Sequence, residues 1–263
     1  MNQKLIVSVS GKGGSGKTTV AALMLKHLIE SGNRTILVID ADPATNLPDV
    51  LGVKTGKTVG TVEDELRSKL EKSEIPPTVT KKEVLEGQIH SILVETQGFD
   101  LLAMGRSEGE GCYCSVNYLL TSIIDSISKN YDLTIMDMEA GLEHVSRRTD
   151  RDVDIMLIVT DPSRMGLQTA SRIRELASEV HIGFKKMYLI GNQFPPEAEG
   201  ELRARAAEIG LELAGVIPRD DKVSAFNVAG KPLLDLPADS SAFAAIREIT
   251  ERIGLAADLA HQT

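Results

Sequence analysis

The chain has 263 residues, of which 42% are hydrophobic and 25% are charged, and its formal net charge is −9. This length and composition exclude a disordered segment and a miniprotein held together by disulfides. The acidic balance opposes binding to nucleic-acid phosphates or to an anionic membrane surface, so we expect neither as a partner. Cys112 and Cys114 are the only two cysteines. They stand too close in sequence to staple a large fold, which favours a reducing, cytoplasmic setting.

Short apolar runs rich in β-branched residues predict buried parallel strands at residues 5–9, 36–39, 133–136, 155–159, 187–191 and 213–217. Segments with helical periodicity follow or separate them, at residues 20–30, 118–128, 167–179, 199–209 and 241–260. Strand and helix therefore alternate along the chain. This alternation predicts an α/β fold, with a doubly wound, mostly parallel sheet flanked by helices in a single domain over residues 1–263.

Residues 53–95 differ from the rest of the chain because they are charged, contain Pro76 and Pro77 and have only weak periodicity. We expect a peripheral insertion there, either a surface excursion or a contact for a partner. The last predicted helix carries Phe243, Ile246 and Ile249 on one face and balanced charges on another. That pattern favours packing against the sheet over membrane binding.

A phosphate-binding motif directly follows the first predicted strand and precedes a helix, as G-x-x-x-x-G-K-[ST] requires. Its residues are Gly11, Lys12, Gly13, Gly14, Ser15, Gly16, Lys17, Thr18 and Thr19. The glycines let backbone N–H groups approach phosphate oxygens, and the helix N-terminus adds partial positive charge. We expect Lys17 to reach the β- and γ-phosphates and the Thr18 hydroxyl to ligate Mg²⁺.

Acidic residues end two further predicted strands, where ligands bind in an open α/β sheet. Asp137 closes the apolar run Leu-Thr-Ile-Met, as a Walker B strand requires for holding Mg²⁺ directly or through water. Asp40 and Asp42 follow the second strand. A strand-end aspartate can also serve only to cap the next turn, and this alternative stays open for them.

The sequence KGGSGKTT resembles the deviant phosphate loop of the MinD, ParA and nitrogenase iron-protein superfamily of P-loop ATPases. The resemblance implies ATP or ADP as the nucleotide and a homodimer in which Lys12 reaches the phosphates bound by the other subunit. It extends to the first switch, DADPATNLP. There it implies that Asp42 orients the attacking water and that Asp40 lies near the solvation shell of the metal. Lys12, Lys17 and Asp42 are thus the catalytic candidates.

Two more parts of the site rest on the same resemblance. Gly141, in DMEAGLEH, matches a loop whose backbone N–H can contact the γ-phosphate and report hydrolysis. The superfamily places its purine contacts after two late strands, at positions that match Asn192 and the run Pro218, Arg219 and Asp220. The asparagine amide suits an adenine edge, although asparagine at a strand end is equally a turn residue.

The two cysteines form a C-x-C pair between a strand ending near Met104 and a helix starting near Val116. In an extended segment both thiols can face one site. Two ligands do not complete a metal sphere, but a two-fold axis beside the pair would provide four. The alternative is two small buried cysteines, against which the polar, glycine-rich surroundings argue.

KGGSGKTT, DADPATNLP, GEGCYCSVN and DMEAGLEH together resemble the CooC family of accessory ATPases for nickel insertion into carbon monoxide dehydrogenase. This resemblance implies nickel or zinc at the cysteine pair of a homodimer, and carbon monoxide dehydrogenase as the client. Two other functions stay open. One is a ParA- or MinD-like positioning ATPase, and the other is an iron-protein-like reductase with a bridging [4Fe–4S] cluster.

Overall fold

The structure is a computed structural model that describes residues 4–32, 34–72, 80–106, 122–139, 153–179 and 184–255. Eight strands form one sheet in the order β3-β4-β2-β5-β1-β6-β7-β8. Their bounds are β1 Leu5–Gly11, β2 Ile36–Asp40, β3 Val94–Glu95, β4 Asp100–Ala103, β5 Leu133–Asp137, β6 Val153–Thr160, β7 Phe184–Asn192 and β8 Glu212–Ile217.

The sheet is parallel throughout except where the short edge strand β3 pairs with β4. The six strands predicted from apolar runs are all present, and the predicted mostly parallel α/β sheet is confirmed. β1 lies between β5 and β6. The order β2-β5-β1 aligns Asp40 with Asp137 on adjacent strands, so the two acidic strand ends meet beside the phosphate loop.

The helices cover both faces of this sheet. Their bounds are α1 Lys17–Ser31, α2 Leu47–Leu51, α3 Val59–Glu71, α4 Lys81–Ile92, α5 at residues 122–128, α6 Arg164–Glu179, α7 Glu199–Glu208, α8 Asp221–Val228 and α9 Ser241–Arg252. The five predicted helical segments correspond to α1, α5, α6, α7 and α9, within the residues that the structure describes. The last of them was predicted to reach residue 260 but ends at Arg252, two residues before Gly254 with its φ of +81°. α2 and α8 were not predicted, because each is short and follows a turn rich in polar residues.

Two apolar clusters form the core, one on each face of the sheet. One cluster contains α1 and α9, whose Leu23 and Phe243 are completely buried. The predicted packing of the last helix against the sheet is therefore present in the structure. No helix within the described residues is both long enough and apolar enough to cross a membrane.

The opposite face is covered partly by the segment predicted as a peripheral insertion. Residues 53–95 contain α3, α4 and β3. Val62 and Leu66 of α3, with Leu85 and Ile89 of α4, are at most 1% exposed and belong to the core cluster of this face. These two helices therefore pack on the core through narrow apolar stripes, and the charges between the stripes explain the weak periodicity of the sequence. That residues 53–95 form a peripheral insertion of a single domain stays a prediction.

Candidate nucleotide-binding site

The phosphate loop joins the central strand β1 to α1, and glycines shape its backbone. Gly14 and Gly16 have φ of +79° and +91°, values that residues with a Cβ rarely adopt. A Cβ on Gly11 would lie 2.2 Å from the Val159 carbonyl oxygen, so the loop starts in close contact with β6. The first turn of α1 contains no acidic residue and no side-chain cap. Its N–H groups are therefore not occupied by a carboxylate of that turn and suit an anion.

Lys17 lies over this loop. Its side chain is buried, and its Nζ donates a 3.4 Å hydrogen bond to the Lys12 carbonyl oxygen. The ammonium is thus held by the backbone of the loop that would bind phosphates, and its contact with the β- and γ-phosphates stays a prediction. Thr19, two residues later, lines the adjoining cavity on the other side of the helix start.

Thr18 and Asp137 form the candidate magnesium site. Thr18 Oγ1 donates a 2.7 Å hydrogen bond to Asp137 Oδ2, while the buried Asp137 Oδ1 has no hydrogen-bond partner among the described residues. Burial raises the pKa of Asp137 to about 7, the Thr18 bond opposes this, and the Asp40 carboxylate adds to it. A divalent cation would satisfy the unpaired oxygen and offset the buried negative charge. These residues therefore fit Mg²⁺.

Asp40 closes the loop that carries Asp42. Its Oδ1 accepts a hydrogen bond from Asp42 N–H at 3.1 Å, and its Oδ2 accepts one from Leu47 N–H at 3.0 Å. Burial raises its pKa to about 6, although these two bonds lower it. Each oxygen thus accepts a hydrogen bond from the backbone of its own loop, so the described role of Asp40 is to hold the shape of that loop.

Asp42 is half-buried at the start of the same loop. Its Oδ1 accepts a hydrogen bond from Ala44 N–H at 2.9 Å, which is the turn-capping contact left open from the sequence. No hydrogen bond to Oδ2 exists among the described residues.

The rest of this loop has a special backbone. Thr45 has a φ of +50°, unusual for a residue with a branched Cβ. At the far end of α2, a Cβ on Gly52 would lie 2.4 Å from Pro232 Cγ, so this helix abuts the C-terminal half of the chain.

Lys12 contacts a partner that the sequence did not identify. Its Nζ lies 2.8 Å from Asp161 Oδ2 and 3.4 Å from Ser163 Oγ. Partial burial raises the pKa of Asp161, but the hydrogen bond and charge of Lys12 and the hydrogen bonds from Ser163 outweigh it and lower the pKa below its ordinary value. Asp161 directly follows β6, the strand beside β1. Its position at a strand end was the only sequence signal for it, and using that signal requires the strand order.

A cavity of about 230 Å³ adjoins the phosphate loop on the side of β7 and β8. Its lining includes Asn192, Pro218, Arg219 and Asp220, the residues predicted for the base. Asn192 Nδ2 donates a 2.8 Å hydrogen bond to the Ser15 carbonyl oxygen, so the amide also braces the phosphate loop. A Cβ on Gly16 would lie 2.2 Å from the same Nδ2. The asparagine thus joins the cavity to the loop, and the exposed Arg219 lies at its edge.

Asp220 lines this cavity, but both oxygens of its carboxylate already accept hydrogen bonds from the protein. Oδ1 accepts from Lys222 N–H at 2.8 Å and caps α8. Oδ2 accepts from the hydroxyls of Ser240 and Ser241 and from Ala242 N–H, all at the start of α9. We therefore assign Asp220 to holding two helix starts at the cavity. The sequence could not separate this role from a base contact, because the three donors to Oδ2 lie 20 to 22 residues away.

The remaining predicted site residues, Gly141, Cys112 and Cys114, lie outside the described residues. Within the described ranges, no group of three or more histidine, cysteine, aspartate or glutamate side chains could hold a metal ion. The predicted nickel or zinc site stays a prediction from the sequence. The described residues include the candidate positions for phosphates, for a magnesium ion and for a nucleotide base.

Comparison with known proteins agrees with this geometry. Residues 6–233 match the family described as CobQ/CobB/MinD/ParA nucleotide binding domain. The uncharacterized ATP-binding protein MJ0685 of Methanocaldococcus jannaschii is 47% identical over 249 residues, which cover 95% of this chain and 98% of that protein. The carbon monoxide dehydrogenase accessory protein CooC of Rhodospirillum rubrum is 32% identical over 260 residues, which cover 94% of this chain and 97% of that protein.

Solved structures with the same fold include a ParA family ATPase from Chlorobium tepidum, with a TM-score of 0.70, 20% identity and coverage of 97% of this chain and 100% of that one. The septum site-determining protein MinD of Pyrococcus horikoshii, solved with Mg-ADP, has a TM-score of 0.67 at 23% identity and covers 97% of this chain and 98% of that one. The family match spans the strands that carry the phosphate loop, the magnesium site and the base cavity. This chain belongs to the CobQ/CobB/MinD/ParA family of nucleotide-binding P-loop domains.

Proposed function

We propose that this chain is a Mg²⁺-dependent ATPase that works as a homodimer in the cytoplasm. The observation that supports hydrolysis most directly is the contact between Thr18 and Asp137 at the end of the phosphate loop, with Asp137 Oδ1 free among the described residues. An unpaired buried carboxylate oxygen beside a loop hydroxyl matches what a nucleotide-bound magnesium ion needs. When bound, that ion would offset the charge that develops on the transferred phosphoryl group.

The mechanism assigns each remaining group one task. Lys17 neutralises the β- and γ-phosphates of its own chain, and the N–H groups of the loop and of α1 bind their oxygens. Asp42 accepts a hydrogen bond from the attacking water through Oδ2, while Oδ1 keeps its turn closed. Lys12 supplies a second positive charge to the nucleotide of the other copy. Gly141 reports the loss of the γ-phosphate through its loop.

The test of this ATPase function compares the two loop lysines. Lys17→Ala should abolish ATP binding, whereas Lys12→Ala should bind ATP but lose nucleotide-driven dimerisation and turnover. Lys82→Ala, which removes an exposed lysine of α4, is the matched control and should behave as wild type. Binding is measured by calorimetry with ATP and with GTP, and turnover by phosphate release. Normal hydrolysis by Lys12→Ala would remove the trans lysine from the mechanism.

We further propose that hydrolysis serves metal handling, with Cys112 and Cys114 of two copies binding one nickel or zinc ion as cargo. The C-x-C sequence and the 32% identity to the CooC accessory protein support this proposal. Carbon monoxide dehydrogenase is then the client, whose Ni–Fe–S cluster receives the metal. Four thiolates hold the ion while the dimer is closed, and two hold it poorly after the dimer opens.

Metal analysis separates this function from its alternatives. Anaerobically purified protein should bind one Ni²⁺ or Zn²⁺ per two chains, and Cys112→Ala or Cys114→Ala should lose the metal while still binding ATP. Tight binding of one metal per single chain, surviving either substitution, would contradict the shared site. A brown protein containing iron and sulfide would instead favour the reductase function. A metal-free ATPase that assembles on a partner surface would favour a positioning function.

A further inference from the structure

We infer that Asp161 is the positioning residue of Lys12. It holds the lysine against its own chain while the chain is single, and Lys12 must leave it before it can reach the nucleotide of a second copy. This inference rests on the proposed function, in which Lys12 acts across the dimer. It adds a residue outside the phosphate loop that sets how readily the dimer forms.

The contact between Lys12 and Asp161 belongs to a hydrogen-bond network and is not an isolated surface ion pair. Asp161 Oδ2 accepts the 2.8 Å bond from Lys12, and Oδ1 accepts from the backbone N–H and the hydroxyl of Ser163, at 3.3 and 2.5 Å. The Ser163 hydroxyl also lies 3.4 Å from the lysine. The side chains of Asp161 and Lys12 are only 20% and 33% exposed. The carboxylate is therefore held from both sides and cannot turn without breaking several bonds.

Gly166 fixes this acceptor in the fold. A Cβ on Gly166 would lie 2.4 Å from Asp161 Oδ1, so the carboxylate occupies space that only a glycine leaves. Gly166 N–H donates to the Ser163 hydroxyl at 3.1 Å, which ties the same turn to the start of α6. β6 pairs with β1 up to Gly11 and Val159, and this register brings the turn beside the first residues of the phosphate loop. Strand β6 and helix α6 thus both position the acceptor.

The two loop lysines are held differently. Lys17 is bound to a carbonyl of the loop itself, whereas Lys12 is bound to a carboxylate on a neighbouring strand. The Lys12 ammonium cannot keep its 2.8 Å contact with Asp161 while it also contacts a phosphate bound by another chain. The carboxylate therefore competes with dimer formation. Because the pair is partly exposed, its effect is modest, on the order of fivefold in the dimerisation equilibrium.

The experiment measures the protein concentration at which half the chains are dimeric with a non-hydrolysable ATP analogue, by analytical ultracentrifugation. Asp161→Asn keeps the shape of the side chain and removes its charge. It should lower this concentration about fivefold and leave the ATP affinity of the single chain unchanged. Glu65→Gln on α3, which removes the charge that pairs with Lys57 Nζ at 2.5 Å, is the matched control and should shift nothing.

A double variant distinguishes positioning of the lysine from a merely structural role. Because Lys12→Ala is itself expected to lose the dimer, this comparison uses the free energy of unfolding of the nucleotide-free chain. If Asp161 acts through Lys12, Asp161→Asn lowers this free energy less when Lys12→Ala is already present. A structural effect on α6 would persist undiminished in the double variant and would overturn the inference. Asp161→Ser, whose hydroxyl can still accept from Ser163 N–H, repeats the test should the asparagine variant unfold.

The failure of this inference differs from the failure of the proposed function. An Asp161→Asn dimer that forms at the wild-type concentration, or at a higher one, overturns the positioning role while Lys12→Ala still loses the dimer. If Lys12→Ala dimerises and hydrolyses ATP as wild type does, the trans lysine itself is wrong. The two variants measured side by side separate these results.

Discussion

Thr18 Oγ1 and Asp137 Oδ2 lie 2.7 Å apart, which joins the first turn of α1 to the end of β5. Because α1 follows the phosphate loop and β5 neighbours β1, this bond fixes the distance between the loop and the candidate metal carboxylate. The Thr18 hydroxyl donates this hydrogen bond to the carboxylate. The lone pairs of the hydroxyl oxygen therefore remain available to a cation.

Thr18→Val removes the hydroxyl and keeps the shape of the side chain. We expect the affinity for Mg²⁺-nucleotide to fall by about 10- to 100-fold, because both a ligand and the orientation of Asp137 are lost. Thr18→Ser retains the hydroxyl and should stay close to wild type. Titrating Mg²⁺ at fixed ATP measures both variants. Equal affinity in Thr18→Val and Thr18→Ser would mean that the hydroxyl does not serve the metal.

Asp42→Asn separates capping from catalysis. The asparagine carbonyl oxygen can still accept from Ala44 N–H and keep the turn, but the neutral amide accepts a water proton poorly. We therefore expect ATP binding to persist and hydrolysis to slow by about 100-fold or more. Single-turnover phosphate release measures the step. An unchanged rate would leave Asp42 with the capping role alone.

Asn192→Asp tests the link between the base cavity and the phosphate loop. The substitution replaces the donor that contacts the Ser15 carbonyl oxygen with a carboxylate oxygen, so attraction becomes repulsion. We expect the Kd for ATP to rise by about tenfold, which corresponds to one charge-assisted interaction. Adenosine binding should change less than ATP binding if the loop is the part disturbed. A larger effect on adenosine would assign Asn192 to the base instead.

Asp220 predicts a pH dependence of stability. Partial burial opposes ionisation, but the hydrogen bonds from Ala242, Ser240, Lys222 and Ser241 lower the pKa of Asp220 to about 2. Its folded-state pKa lies below the ordinary value of 3.8. This carboxylate therefore stabilises the fold above pH 4, and the stabilisation is lost as the pH falls from about 4 to about 2.

Asp220→Asn should cost about 1 kcal/mol of unfolding free energy at pH 7, because the amide oxygen can still cap α8 but the charge that strengthens the hydrogen bonds from the start of α9 is lost. The difference from wild type should shrink as the pH falls toward 2. Urea unfolding at a series of pH values measures it. A difference that stays constant with pH would show that packing, not ionisation, is what the substitution changes.

Leu85→Ala tests whether residues 53–95 contribute to the stability of the hydrophobic core. Leu85 is completely buried in the cluster under α3 and α4, so we expect a loss of about 3 kcal/mol. Lys82→Ala on the exposed side of the same helix should cost less than about 0.5 kcal/mol. Thermal or urea unfolding measures both. A small loss in Leu85→Ala would support the view of this segment as a peripheral excursion.

The strands and the phosphate loop were predictable because their signals are local. An apolar run of β-branched residues indicates a buried strand without knowledge of its neighbours, and glycine spacing indicates the loop. α3 and α4 were not recognised, because each buries a narrow stripe such as Leu85 and Ile89 among charged residues. Their apolar density is low since only one side of each helix touches the sheet.

The roles of Asp161 and Asp220 could not be predicted from the sequence for another reason. Lys12 and Asp161 are 149 residues apart, and only the order of β1 and β6 brings them together. Besides Lys222 N–H in the helix that Asp220 caps, the donors to Asp220 belong to the start of a different helix, α9. The sequence pattern predicts which residue types stand at strand ends. The fold decides whether such a residue meets a ligand, a lysine or a helix.

The hydrogen bond from Leu47 N–H to the Asp40 carboxylate closes a short loop, and Asp42 lies within that loop. While the Asp40 carboxylate binds Leu47 N–H, the chain between them spans seven peptide steps, roughly 25 Å when extended. Its tip therefore travels at most about 12 Å from the anchored ends. α2 abuts Pro232 behind one anchor. Asp42 lies two residues from the other anchor, and its N–H is bound to the Asp40 carboxylate. The Asp42 Cα, which carries the carboxylate proposed to orient the attacking water, therefore stays within about 7 Å of the Asp40 Cα.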